Sequence, residues 1–343
     1  MVLHSLATAV PTATFTQPEC WNLIEKSGVR SQLSRRTMLV LKTILNGEHG
    51  IRTRHFATPD IGRIFDRTSD ELNQAFRAEA PVLAERALGL ALKKADLEPG
   101  DLDALLICTC TGYLCPGLSS YVAERMGIAP NAILHDVVGL GCGAAIPTLR
   151  SANHLLAAHP GAKVACVAVE VSSAAFYLDD DQGVIVSACL FGDGAAASIW
   201  SSTAGPTGLR AFDFRSLHLP AERDKLRFEQ RGGKLRNLLD RAVPEVAAGA
   251  VGRLWAERSE RPVARVVVHP GGRDVLDAVE PVVSPHRLDA SARTLRENGN
   301  MSSASVLFAL EESLKGPPAT SRGDFWLVSF GAGFSAHTCR IGA

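Results

Sequence analysis

A glycine turn opening onto a strand occurs twice in this chain. Leu190-Phe191-Gly192-Asp193-Gly194-Ala195 stands near the middle, and Ser329-Phe330-Gly331-Ala332-Gly333-Phe334 near the end. Duplication restricts the available folds more than composition does. Two copies are too few for a solenoid and suit a pseudo-twofold domain of two similar α/β halves. The 343 residues are enough for two core-bearing halves or one large domain. Ser201–Gly208 is the expected connection, giving halves of 1–205 and 206–343.

Local patterns fill in both halves. Thr68-Ser69-Asp70-Glu71 reads as a capped helix start, and apolar spacing carries that helix through Ala95. Ala104–Cys110 and Lys163–Glu170 are continuous apolar runs, as expected of buried strands. Leu118–Met126 and Pro147–Ala158 read as helices. Residues 210–262 are more polar and read as connecting strands with a helical segment. Arg265–Val268 is a strand that delivers His269 at its end, with a helix from Asp274 to Val279 behind it.

The formal net charge is zero, so no overall pull toward nucleic acid or anionic lipid follows. No apolar run reaches the ~18–20 residues of a membrane helix, and the first residues lack a signal-peptide layout. Hydrophobic residues make up 46%, which places the chain among soluble globular proteins. The eight cysteines form no Cys-x-x-Cys pair, so neither zinc nor another metal is expected, and a reduced, cytoplasmic setting fits. Asp179-Asp180-Asp181 reads as a solvated turn. Arg35, Arg36, Lys42, Arg52 and Arg54 form a basic set that either meets a phosphorylated ligand such as coenzyme A or lines a solvated helix face.

Val137-Val138-Gly139-Leu140-Gly141-Cys142-Gly143-Ala144-Ala145-Ile146-Pro147 reads as strand, glycine turn, cysteine and helix start. A thiol there faces unpaired N–H groups and the positive end of the helix dipole, which favour the thiolate. A small buried cysteine is the alternative reading. His269, at a strand end, can pair with such a thiolate. Asn300, in Gly299-Asn300-Met301-Ser302-Ser303-Ala304, sits where a helix N-cap would. Together, His269 and Asn300 can donate to a thioester oxygen and stabilise an enolate.

The motifs Gly299–Ala304, Val268-His269-Pro270-Gly271-Gly272 and Leu190–Ala195 resemble those of type III polyketide synthases, the chalcone-synthase-like family, in its bacterial form. The resemblance covers nearly the whole chain. It implies the thiolase fold, with two α/β halves in five layers, αβαβα. It also implies a homodimer that joins acyl-CoA and malonyl-CoA by iterative decarboxylative condensation, with no cofactor beyond the coenzyme A thioesters. The nucleophile falls on Cys142, the histidine on His269, the asparagine on Asn300 and one gatekeeper phenylalanine on Phe191. Pocket positions fall on Cys110, Thr111, Ala175, Ser302 and the Gly331-Ala332-Gly333 loop, and Cys115 falls where one subunit reaches into the other.

Some positions depart from the family pattern. No phenylalanine stands in Leu235–Leu239, where the second gatekeeper belongs, and the loop 331–333 lacks the proline of plant members. The coenzyme A residues of plant members are not matched near Leu41–Glu48. Small pocket residues suggest an aliphatic, medium- or long-chain starter and an alkylpyrone or alkylresorcinol product. Two alternatives share the fold. One is a single condensation of the β-ketoacyl-acyl-carrier-protein synthase III kind, where the histidine precedes Gln-Ala-Asn rather than Pro-Gly-Gly. The other is a protein that binds acyl-CoA without catalysis.

Overall fold

The computed structural model describes residues 1–343 except 59, 204 and 317–322. The first half runs β1 (Val2–Ala9), β2 (Thr14–Thr16), α1 (Gln17–Lys26), α2 (Arg35–Asn46), β3 (Thr53–His55), α3 (Ser69–Ala95) and β4 (Ala104–Cys108). It continues through α4 (Leu118–Met126), β5 (Ile133–Val137), α5 (Ala145–Ala158), β6 (Lys163–Glu170), α6 (Gln182–Leu190) and β7 (Gly194–Ser201). The second half opens with β8 (Arg210–His218), β9 (Leu226–Arg231), β10 (Lys234–Leu239), α7 (Val243–Ala256) and β11 (Val263–Val268). It closes with α8 (Arg273–Val279), α9 (Asp289–Asn298), α10 (Ser305–Lys315), β12 (Asp324–Gly331) and β13 (Ser335–Gly342).

Nine strands form one mixed sheet in the order β11-β12-β13-β8-β1-β7-β6-β4-β5. The duplication is visible in the pairing. β1 runs antiparallel to β7, β7 antiparallel to β6, and β6 parallel to β4. In the same way β8 runs antiparallel to β13, β13 antiparallel to β12, and β12 parallel to β11. The halves meet along β1 and β8 at the single pair Val2 and Arg210.

Side-chain alternation along these strands builds the layers. Leu106, Cys108, Val164, Cys166, Val267 and Leu327 point to a central core with α5 and α10. Leu105, Ile107, Ala165, Val167 and Ile199 point the other way, onto α3. Val266, Val268, Trp326 and Val328 face α7 and α8. The result is the five-layered αβαβα arrangement of the thiolase fold. A fourth cluster, from α1, α2 and α6, covers the end of the first half and includes Cys142 and Phe191.

Caps and breaks are chemically explicit. Thr68 Oγ1 accepts from Glu71 N–H at 3.2 Å and Glu71 accepts from Thr68 N–H at 2.8 Å, a reciprocal cap on α3. β4 stops at Cys108, two residues short of the apolar run, because Thr109–Thr111 turn away to bond the Glu170 carboxylate. The acidic run is solvent-exposed at Asp179 and Asp180, as expected of a solvated turn, and it also acts as a tether. Asp180 accepts from Ser34 N–H and Thr37 Oγ1, and Asp181 caps α6 and pairs with Arg236. Among the described residues no helix is long and apolar enough to cross a membrane, and no cluster of His, Cys, Asp and Glu suits a metal ion.

Candidate active site

Cys142 lies in a short 3-10 turn, Gly141–Gly143, between β5 and α5. Gly139 and Gly141 take φ of +85° and +55°, a conformation that favours glycine. The turn presses on the end of β12. A Cβ on Gly331 would lie 2.6 Å from Gly143 N and 2.9 Å from Cys142 N, so only glycine permits the approach. Gly331 and Ala332 therefore buttress the Cys142 turn, and residues 331–333 line neither of the two cavities described below, whereas a place in the pocket was expected of them.

Asn300 arrives beside Phe191 through a parallel bridge, with Gly192 N–H donating to Asn300 O at 3.0 Å and Asn300 N–H to Leu190 O at 3.0 Å. The glycine turn of the first half is thus zipped to the asparagine motif of the second. Asn300 is not the N-cap of α10, which starts at Ser305 after a separate turn, Ser302–Ala304. Its Oδ1 accepts from Ser302 N–H at 2.8 Å, and its Nδ2 donates to Gly271 O at 3.1 Å. These two bonds orient the amide, leaving one Nδ2 hydrogen uncommitted. Ser302 is held at φ +45°, a left-handed value rare for a side-chain residue. Its Oγ donates to Cys142 Sγ at 3.3 Å and lies 2.9 Å from Cys110 Sγ, bridging two thiols.

His269 is fully buried, edge-on to Phe330, and its Nδ1 has no hydrogen-bond partner. Burial pushes its pKa down to about 3. Burial likewise pushes the Cys142 thiol up to about 12, with the Ser302 hydrogen bond opposing and the Glu170 charge reinforcing the shift. Burial thus opposes the thiolate expected from the helix start. The sulfur is enclosed, α5 begins only at Ala145, and the hydrogen-bond partner of Cys142 is Ser302 rather than His269.

Two cavities meet here. An open cleft of about 580 Å³ contains Cys142, His269, Asn300 and Phe330. An inner cavity of about 40 Å³ is lined by Cys110, Thr111, Ala175, Ser302 and several aromatic side chains. Phe191 and Asn237 line both and form the neck between them. Asn237, on β10, occupies the stretch where the second phenylalanine was missing. Cys115 is exposed and lines neither cavity.

One buried charge beside the site, Glu170, went unread in the sequence, and another, Arg54, lies elsewhere than on the solvated face offered for it. Glu170 ends β6, wholly buried, and accepts from Cys110 N–H at 3.0 Å and Thr111 Oγ1 at 3.0 Å. Its other oxygen accepts from Ser303 N–H at 3.3 Å and from the Ser303 hydroxyl. A carboxylate closing an otherwise apolar strand was the available signal. Burial raises its pKa, and these donors pull it back. Arg54 is not on a solvated face. It is fully buried, and donates to Gln17 Oε1, Ala188 O and Phe191 O, fixing the neck from behind. Arg35, Arg36 and Lys42 are exposed on α2, and the cationic side chains of the cleft itself are Arg241 and Arg273.

Residues 21–212 match the family model described as FAE1/Type III polyketide synthase-like protein, and 236–341 match the chalcone and stilbene synthase C-terminal domain. The 3,5-dihydroxyphenylacetyl-CoA synthase of Streptomyces toyocaensis is 30% identical, with 98% of this chain and 88% of that protein aligned. The 1,3,6,8-tetrahydroxynaphthalene synthase of Streptomyces coelicolor is 30% identical over 96% of this chain and 89% of its own length. The crystal structure of the tetrahydroxynaphthalene synthase from that species superposes with a TM-score of 0.87 at 27% identity, covering 100% of this chain and 99% of the other. The fold and the enclosed thiol define a thiolase-fold acyltransferase. The chain belongs to the type III polyketide synthases, which carry out decarboxylative condensation of coenzyme A thioesters with no further cofactor.

Proposed function

We propose that Cys142 carries the acyl group and that His269 and Asn300 handle the malonyl thioester. The Cys142 thiol attacks the starter carbonyl while neutral His269 takes up the sulfur proton, and His269 then passes that proton to the departing coenzyme A sulfur, which leaves as the thiol. Malonyl-CoA then loses carbon dioxide, and the resulting enolate oxygen accepts from His269 Nε2–H and the uncommitted Nδ2–H of Asn300. The enolate carbon attacks the Cys142 thioester and releases the sulfur, leaving a chain two carbons longer on coenzyme A. Transfer of that chain back to Cys142 allows the next round. The observation that carries this reading is the shared cleft of Cys142, His269 and Asn300, with the Asn300 amide already oriented by Ser302 and Gly271. Arg241 and Arg273, in the same cleft, suit the phosphates of coenzyme A.

The starter is a short acyl unit, and the product a hydroxylated aromatic ring. About 40 Å³ holds only a few waters, by the measure in which one water needs about 10–15 Å³. The products in the relatives' names, a dihydroxyphenylacetyl thioester and a tetrahydroxynaphthalene, are of this kind. A medium- or long-chain starter leading to an alkylpyrone or alkylresorcinol is the second reading, favoured by the small Cys110, Thr111, Ala175 and Ala188 in the wall. The chain acts as a homodimer through β5, an edge strand that carries exposed Leu134 and is followed at once by exposed Val138.

The test is mass spectrometry of products from purified protein, malonyl-CoA and a ladder of acyl-CoA starters. Aromatic products from malonyl-CoA with a short or no added starter support the first reading. Alkylated pyrones or resorcinols from long starters support the second. Strict dependence on malonyl-carrier protein with a single condensation overturns both.

A further inference from the structure

We infer that Ser172 and Asn237 are a polar reading pair that makes the neck and inner cavity favour a β-keto unit of the growing chain over an alkyl segment. The inference rests on the polyketide reading above and concerns only what the neck and inner cavity accept.

Both residues line the inner cavity, and both are almost fully buried, at 3% and 4% exposure. Each leaves a polar atom without a partner: the Ser172 hydroxyl and the Asn237 Oδ1. Buried polar atoms are ordinarily hydrogen-bonded, so two unclaimed ones on one small cavity point to a ligand that pairs with them. The orientation of Asn237 follows from its neighbour. Ser187 Oγ donates its only proton to Gly183 O at 2.7 Å, so toward Asn237, 3.0 Å away, it can only accept. Nδ2 must therefore face Ser187, which leaves Oδ1 as a bare acceptor at the neck. The backbone of Asn237 is held there because Gly183 lacks a side chain. A Cβ on Gly183 would collide with Asn237 O.

The chemistry of the two sites is complementary to one class of chain. Oδ1 accepts only, so it needs a donor, and the enol tautomer of a β-diketone supplies an O–H. The Ser172 hydroxyl can donate, and the ketone oxygens of the same chain accept. A poly-β-ketoacyl thioester on Cys142 that passes between Phe191 and Asn237 carries both kinds of group in alternation. An alkyl tail carries neither, and leaves both protein atoms buried and unpaired.

The experiment uses the purified full chain with malonyl-CoA and octanoyl-CoA in one mixture, so that overall activity cancels from the product ratio. The variants are Asn237→Leu, nearly equal in size and apolar, and Ser172→Ala, which removes one oxygen and keeps the test open if the leucine variant does not fold. The expected result is a rise of about tenfold in octanoyl-primed over malonyl-only products for each variant, the size set by relief of one unpaired buried polar group. Shorter malonyl-only chains should accompany it. A ratio within about twofold of the parent in folded variants overturns the inference, as does a uniform loss of both products, which is what a merely structural role predicts. If the parent makes no polyketide from either substrate, the functional reading fails first and takes this inference with it.

Discussion

Replacing Glu170 tests how the two halves are locked at the site. One carboxylate oxygen serves the loop after β4 and the other serves the Ser303 turn, so a single buried group ties both halves beside Cys142. Glu170→Ala strands two backbone donors, Cys110 N–H and Ser303 N–H, while the hydroxyls of Thr111 and Ser303 can rotate to other partners. At about 1–3 kcal/mol per unsatisfied buried donor the loss is roughly 2–6 kcal/mol. Relief of a buried carboxylate offsets part of it, since burial opposes ionisation of this group. An expected net of about 3 kcal/mol follows. Glu170→Gln keeps one oxygen and is best accommodated with its NH₂ toward Ser303, where one N–H is left unpaired, so its cost is about 1–2 kcal/mol. The assay is urea unfolding of parent and both variants, with product analysis alongside, because loosening Ser303 also displaces the neighbouring Ser302 bridge to Cys142. If Glu170→Ala unfolds within about 0.5 kcal/mol of the parent, the carboxylate is not the lock argued here.

Three further outcomes are expected. Alkylation of Cys142 by iodoacetamide should speed up about tenfold per pH unit from 7 to 9 with no plateau, since the thiol is pushed up to about 12; a plateau below pH 7 would reveal a resting thiolate. Stability should fall as pH drops below about 6.5, because His269 and His337 are held neutral with pKa values of about 3 and 4 while the unfolded chain takes up protons at the ordinary imidazole value. Here the unfolded state binds more protons, so the melting temperature at pH 5 should lie below that at pH 7, and equal values would refute it. Leu134→Glu with Val138→Glu should convert a dimer to monomer in light scattering, as two charges on the edge of β5 oppose strand pairing; an unchanged mass would place the interface elsewhere.

Much of this was legible in the chain itself. The helix beginning at Ser69, the strand Lys163–Glu170 and the helix Leu118–Met126 follow from caps and periodicity, which act within a few residues. The doubled Phe-Gly-x-Gly turn foretold the repeated strand pairing, and the motifs around Cys142, His269 and Asn300 pointed to one cleft. Tertiary structure alone decided the remainder, because it depends on groups far apart in sequence. Asn237 becomes half of the neck only when β10 packs on Gly183, and Gly331 matters through a backbone 188 residues away at Gly143. Arg54 looks like a surface charge until Gln17, Ala188 O and Phe191 O are brought to it, and the partners of exposed Asp180, Ser34 and Thr37, lie far away in sequence. The protonation of Cys142 and His269 belongs to the same class. A helix start and an adjacent histidine argue for charge, but burial of both groups opposes it, and burial is a property no local stretch of sequence carries.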